Sequence, residues 1–456
     1  MQLHGQHILG PATSAKGEAT FQAINPATGQ TLEPTFHEAT QAEVDQAMRL
    51  AEAAFDPLRA TSADQRADLL DAIADQIMAL GDALLERTNA ETGLPMGRCT
   101  AERGRTVNQA KMFATMIREG SWVDARIDHG DPKREPAPKP DLRRMLQPIG
   151  PIVVFGASNF PLAIRVARTD TVCALGAGCP VVVKAHPGHP GTCEMLAVAI
   201  EKALEQCAMP AGAFSMLHGR THAPGMWLVA HPAARAVAFT GSLAGGRALF
   251  NAAAARPNPI PVYAEMGSIN PVFILPGALE ERGFQIADGY VKSVTLGVGQ
   301  FCTNPGLVVG MQGDPLNNFA AAAGRHASEA PAATMLHAGI RDAFAYGSKR
   351  IAETDGVTTV GQSGEANATA TQAACAIYST DGKTYLSNPH LHEEVFGPSS
   401  LIVSADTPEQ LERIAENLQG HLTATIHGTE QDLADHAGLV RVLERKVGRL
   451  IFNGFP

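Results

Sequence analysis

Pro151-Ile152-Val153-Val154-Phe155-Gly156-Ala157-Ser158-Asn159-Phe160-Pro161 is the stretch on which the fold turns. Four consecutive apolar residues, three of them β-branched, lie between Pro and Gly, the texture of a strand buried on both faces. Similar short runs recur at residues 181–183, 214–217, 236–239, 262–264 and 272–275, separated by crossovers of helix length. Alternation of this kind predicts an α/β architecture built on a doubly wound parallel sheet. Such a sheet holds its ligands at the carboxyl ends of the strands. The residues that follow each run are therefore the ones to read for chemistry.

Upstream, the first third is mostly helical. Thr40-x-x-Glu43 and Ser62-x-x-Gln65 both match a capping box, and after the second cap Leu69, Ile73, Ile77 and Leu80 recur at helical spacing. Residues 131–140 hold four prolines and five charges, too polar and rigid for a core. The flanks, 122–127 and 142–147, are expected to be strands of a projecting hairpin. Downstream of about Tyr263 strands and helices mix again, which suggests a second α/β domain.

Composition bounds the function. The 456 residues carry 36 Lys+Arg against 46 Asp+Glu, and a net charge of −10 leaves no basic surface for nucleic acid. Seven scattered cysteines without a CxxC pair argue against a disulfide scaffold and a structural zinc site, and for a reducing compartment. The first twenty residues lack an apolar core flanked by basic residues, so no secretory signal is read there. The uncharged stretches 145–164 and 293–313 are broken by Pro, Gly and Asn and do not read as membrane spans. A cytoplasmic protein with no membrane partner is expected.

The strand ends carry the chemistry. Asn159 precedes Pro161, which suits a first helical turn, so its amide can either cap that helix or hold a developing oxyanion. Lys184 ends a run and can bind ribose hydroxyls or phosphate, with His186 and Arg220 as further cations; each is otherwise an ordinary surface residue. No Asp or Glu follows Lys184 nearby, which leaves a 2′-phosphate tolerable. Gly241-Ser242 can open a helix whose free amides face a pyrophosphate, although no GxGxxG is present. Glu265 at a strand end is placed as a general base, or as a paired surface carboxylate. Cys302, among the turn formers of Gly299-Gln300-Phe301-Cys302-Thr303-Asn304-Pro305-Gly306, can be a reactive thiolate, or one more inert thiol. His390-x-His392 before Glu393-Glu394 does not match HExxH, so no metal is expected.

Taken together these residues resemble the aldehyde dehydrogenase superfamily, from Asn25-Pro26-Ala27-Thr28-Gly29 to Phe452-Asn453-Gly454. The specific marks are Ser158-Asn159-Phe160-Pro161, Phe239-Thr240-Gly241-Ser242, Glu265-Met266-Gly267-Ser268, the Cys302 loop and Glu394-Val395-Phe396-Gly397-Pro398. The resemblance implies a Rossmann-type cofactor-binding domain (1–121 and 148–262), a small β oligomerisation hairpin (122–147) and an α/β catalytic domain (263–456). It implies Cys302 as nucleophile, Asn159 in the oxyanion hole and Glu265 as the base that activates water. It further implies Lys184 at the adenosine ribose, Ser242 at the pyrophosphate, Glu394 at the nicotinamide ribose, and assembly as a homodimer or homotetramer. A built-in water activator speaks against acyl transfer to coenzyme A.

Within the superfamily, the segments 265–273, 301–306 and 183–187 look most like the branch that oxidises 2,5-dioxopentanoate. A long-chain fatty aldehyde dehydrogenase is the competing resemblance, and both lean to NADP, with NAD as the alternative. An acidic aldehyde needs a cation, and Arg165 or Arg168, just after Asn159, is the expected source, with Phe160 beside the substrate. The resemblance also implies several tens of residues beyond Pro456, and without them a non-catalytic relative is the remaining alternative.

Overall fold

A computed structural model describes residues 2–164, 166–167 and 169–456. The chain forms two compact units, Met1–Asn25 with Thr31–Met266 and Pro26–Gln30 with Gly267–Pro456.

The first unit is built on a seven-stranded sheet. Its strands are β1 (His7–Leu9), β2 (Ala12–Ser14), β3 (Ile152–Phe155), β4 (Val181–Lys184), β5 (Phe214–Leu217), β6 (Ala236–Thr240) and β7 (Val262–Glu265), in the order β7-β6-β3-β4-β5-β1-β2. Strands β3 to β7 pair in parallel, while β1 adds antiparallel to β5. All four residues of β3 are buried although successive side chains point to opposite faces, so the strand is covered on both sides. Register keeps the carboxyl ends level: Phe155 lies opposite both Lys184 and Phe239, and Thr240 opposite Glu265.

Helices α1 (Gln41–Arg59) and α2 (Ala63–Ala79) begin at the expected capping boxes, Thr40 with Glu43 and Ser62 with Gln65, each closed in both directions. Leu69, Leu70, Ile73 and Ile77 form the buried stripe of α2. Helix α3 (Met96–Glu119) packs along it and stops at Gly120, whose φ of 85° suits glycine. The projecting hairpin has shorter strands than the sequence predicts: Arg126–Asp128 pairs with Leu142–Arg144, and a single bridge joins Asp131 to Lys139 nearer the tip. A 3-10 turn at Ser121–Val123 and a left-handed Asp124 (φ 47°) use up the residues expected to start the first strand.

The second unit holds another seven-stranded sheet. Here β8 (Val272–Ile274), β9 (Leu307–Met311), β10 (Thr358–Gln362), β11 (Ala376–Asp381), β12 (Ser399–Ala405), β13 (His421–His427) and β14 (Val447–Phe452) take the order β10-β11-β12-β9-β8-β13-β14. Only β10 is antiparallel to its neighbour. Phe273, Tyr290, Phe319 and Tyr385 are fully buried around it. The run at 272–275 thus opens this second sheet rather than closing the first. Among the described residues no helix is long and apolar enough to cross a membrane, and no three His, Cys, Asp or Glu side chains gather where they could hold a metal ion.

Candidate active site

In the first unit, strands β4 and β5 lie to one side of β3 and β6 and β7 to the other, so the topological switch falls between β3 and β6. The loop after β3 is pinned from α3. Arg98 donates from Nη2 to the Asn159 carbonyl (2.9 Å) and from Nε to Glu102 (2.9 Å), and Glu102 accepts the Leu162 N–H (3.3 Å). Asn159 and Phe160 are both buried, and the Phe160 ring sits 4.7 Å from the Arg98 guanidinium and 5.4 Å from that of Arg105. Residues 161–164 form turns, with the Ile164 N–H donating to the Phe160 carbonyl at 3.0 Å. Arg165 and Arg168 lie outside the described residues.

Lys184 ends β4, and its ammonium donates to the Gly219 carbonyl. His186 Nδ1 accepts the Gly188 N–H at 3.0 Å, and its ring stacks on His189 at 5.7 Å. Arg220 is exposed, and its backbone N–H donates to Glu38. Glu38, far earlier in the chain, thereby brings a carboxylate to the turn that also holds the Lys184 ammonium, a contact that local reading of the sequence did not find. Gly241 donates its N–H to the Glu265 carbonyl at 3.1 Å, so the ends of β6 and β7 are tied together. Ser242 caps helix α4 (Leu243–Ala254), its Oγ accepting the Gly245 N–H at 3.2 Å. Leu243 and Ala244 then present first-turn amides for which a helix has no internal acceptor. A capped helix start at the switch point and an ammonium anchored at a neighbouring strand end fit the pyrophosphate and ribose of a dinucleotide. Asn159, Lys184, Arg220, Gly241, Ser242 and Glu265 all fall on this one edge; Glu265 is half-buried at the end of β7.

In the second unit, Cys302 is half-buried and outside any disulfide. Asn270 holds its loop: Nδ2 donates to the carbonyls of Cys302 and Asn304, both at 2.9 Å. The Asn270 Oδ1 in turn accepts the Ser268 hydroxyl (2.6 Å) and the Thr423 N–H (3.3 Å) and hydroxyl (3.1 Å). Gln300 ties the other side, accepting the Leu336 N–H at 3.0 Å. Gly299, with φ of 64°, lets this loop meet the Phe396-Gly397-Pro398 segment, since a Cβ there would lie 2.2 Å from the Gly397 carbonyl carbon. Asn304 Nδ2 closes the same contact on the Gly397 carbonyl at 3.2 Å. Two motifs separate in sequence thereby become one piece of backbone. Glu394 accepts the Ser268 N–H at 3.2 Å and lines a narrow cleft with Phe301 and Asn304. Surrounding protein pushes its carboxyl up to about 7, against the pull of the Ser268 N–H. Asn270, Ser268 and Gln300 were missed as functional residues; the signal that could have found Asn270 is its place in Ser268-Ile269-Asn270-Pro271, since Asn tolerates the left-handed φ of 52° it adopts.

The sequence profile of the aldehyde dehydrogenase family matches residues 13–330. The chain is 50% identical to α-ketoglutaric semialdehyde dehydrogenase 2 of Azospirillum brasilense, over all of this chain and 87% of that protein. It is 43% identical to the α-ketoglutaric semialdehyde dehydrogenase of Acinetobacter baylyi, over 99% of this chain and 86% of that one. A crystal structure of a Staphylococcus aureus betaine aldehyde dehydrogenase variant bound to NAD+ shares the fold at a TM-score of 0.84, with 19% identity, covering all of this chain and 90% of the other. Family profile, near full-length relatives and fold agree with a cysteine loop in one unit and a dinucleotide-type strand edge in the other: this chain belongs to the aldehyde dehydrogenase family.

Proposed function

We propose that this aldehyde dehydrogenase oxidises 2,5-dioxopentanoate to 2-oxoglutarate through a thioester on Cys302. The observation that carries the substrate is the 50% identity, over the whole chain, to a relative named for that semialdehyde. Roles divide between the units. Cys302 sulfur attacks the aldehyde carbon, and the resulting oxyanion is held by the Asn159 side-chain amide and the Cys302 N–H. A bound nicotinamide dinucleotide supplies the hydride acceptor. Once the hydride has left the carbon, the adduct is a thioester; Glu265 takes a proton from water, the hydroxide adds to the carbonyl, and collapse releases the acid and the Cys302 thiolate. Lys184, with His186 and Arg220 near it, serves the adenosine ribose, Gly241 and Ser242 the pyrophosphate, and Glu394 the nicotinamide ribose. With Lys184 present and no acid after it, NADP is accepted as well as NAD. For the distal carboxylate of the substrate, Arg98 is committed to Glu102 and the Asn159 carbonyl. Arg165 or Arg168, a few positions after Phe160 in the sequence, is the cation assigned to it. Assembly is as a homodimer or homotetramer through the 122–147 hairpin, and the unbridged cysteines favour the cytoplasm.

The test is a steady-state panel. Purified chain should reduce NAD or NADP with 2,5-dioxopentanoate at a kcat/KM about 100-fold above that for a long-chain aliphatic aldehyde, because an apolar tail leaves the cation unpaired. Equal rates would transfer the enzyme to the fatty aldehyde class. Cys302→Ala should abolish turnover, and Glu265→Gln should give one burst of reduced cofactor and then stall. Turnover at the wild-type rate in either variant removes that residue from its role, and acceleration by coenzyme A would replace water as the acceptor.

A further inference from the structure

Glu38 stands between the end of the Thr31–His37 strand and the Thr40 cap of α1, its own N–H donating to the Ala19 carbonyl at 2.8 Å. Its carboxylate reaches the turn after β5: Oε2 accepts the Arg220 N–H at 2.6 Å, and Oε1 accepts the Thr221 N–H at 3.0 Å and hydroxyl at 2.5 Å. Gly219, whose carbonyl takes the Lys184 ammonium, is flanked by both groups. A Cβ built on Gly219 would lie 3.2 Å from Glu38 Oε1 and 3.5 Å from Lys184 Cε. Partial burial works to raise the Glu38 carboxyl, and the Thr221 hydroxyl, the Arg220 and Thr221 N–H groups and the Lys184 ammonium outweigh it, so it stays ionised. This turn thus presents a fixed carboxylate against a fixed ammonium, with Arg220 and His222 both exposed at its rim.

We infer that Glu38 weighs NAD against NADP, its carboxylate opposing a 2′-phosphate that Lys184 alone would attract. The inference rests on the proposed placement of the adenosine ribose at Lys184. A carboxylate has about four acceptor sites, and the three donors on Glu38 leave one on Oε2 for a ribose hydroxyl. A 2′-phosphate offers no such proton and brings a charge of about −1.5 to −2. Even at a dielectric near that of water, repulsion between that charge and a carboxylate at contact range is worth about tenfold in affinity. The acid selector therefore comes from the chain's first segment rather than from the strand that carries the lysine.

Equilibrium titration of the full chain with NAD+ and with NADP+, without aldehyde, tests this. Glu38→Gln should lower the ratio of NADP+ to NAD+ dissociation constants about tenfold, and Glu38→Asp, which keeps the charge, should leave the ratio near wild type. High salt should shrink the Glu38→Gln effect. Both constants shifting by one factor in Glu38→Gln would mean that Glu38 only holds the 219–221 turn, and the inference falls. A ratio unchanged in that variant overturns it equally. Failure of the wild type to bind either dinucleotide is a different result, which would overturn the cofactor site itself.

Discussion

Asn270 stands on left-handed backbone with its side chain donating to two carbonyls of the Cys302 loop and accepting three bonds in return. Its bonds go to backbone and hydroxyl groups rather than to the sulfur proposed to react, which assigns it a positioning role. Asn270→Ala leaves two part-buried carbonyls without this donor, at about 1–2 kcal/mol, and lets the loop settle elsewhere. The expected outcome is a fall in kcat of about tenfold or more and slower alkylation of Cys302, with cofactor affinity unchanged. Unaltered alkylation alongside an equal loss of global stability would make Asn270 merely structural. Glu394 sets a pH dependence. The ionised carboxylate is the form that accepts ribose hydroxyls, and burial raises its pKa from 4.5 to about 7 against the pull of the Ser268 N–H. Cofactor affinity should therefore rise with pH through this window and flatten above it, and Glu394→Gln should abolish the rise; a slope that survives in the variant belongs to another group. Cys302 was legible because turn formers surround it on both sides. Asn270 was harder to see, because the two carbonyls and the Thr423 it holds lie 32, 34 and 153 positions away and only Ser268 is local.

At the scale of elements, caps were legible when both halves sit within one turn, as at Thr40 and Ser62. Asp432 shows what such reading misses. It closes a capping box with Thr429 at the start of helix α6 (Glu430–Asp435), and the same carboxylate accepts the N–H groups of Gly277 (2.9 Å) and Ala278 (3.1 Å). Those amides open helix α5 (Pro276–Thr295), so one buried charge serves two helix N-termini. Burial works to raise its pKa, and the backbone bonds from Thr429 and Gly277 outweigh that, so the group stays below its ordinary 3.8. A carboxylate depressed in the native state contributes stability that is present above 3.8 and is lost as pH falls through the lower native value. Asp432→Asn should therefore destabilise by about 1–2 kcal/mol at pH 7 in urea unfolding, with the deficit narrowing at pH 3 and below. An equal deficit at both pH values would point to shape rather than charge.

For the whole molecule, the sequence told which runs are strands but not which sheet each joins. Residues 152–155, 181–184, 214–217, 236–240 and 262–265 share one sheet, whereas 272–274 opens the other. Apolar texture reports burial on both faces, and both sheets bury their strands in that way. The proposed assembly surface shows in exposure as well as in sequence pattern. Ile127, Leu142, Met145, Leu146 and Ile149 are each about half exposed, along one short segment that carries the Arg126–Asp128 and Leu142–Arg144 ribbon. Apolar side chains clustered so densely at a surface mark a site of association. In the register Asp128 faces Leu142 and Arg143 faces Ile127, so Ile127 and Leu142 point to opposite faces of the ribbon. The double variant Ile127→Asp, Leu142→Asp should then block pairing from either face. Light scattering should move from a dimer or tetramer mass to that of a single chain near 47.9 kDa, with the circular dichroism of the wild type retained. If the mass stays at the wild-type multiple, subunits meet elsewhere; if wild type itself is a single chain, the apolar ribbon serves some other contact.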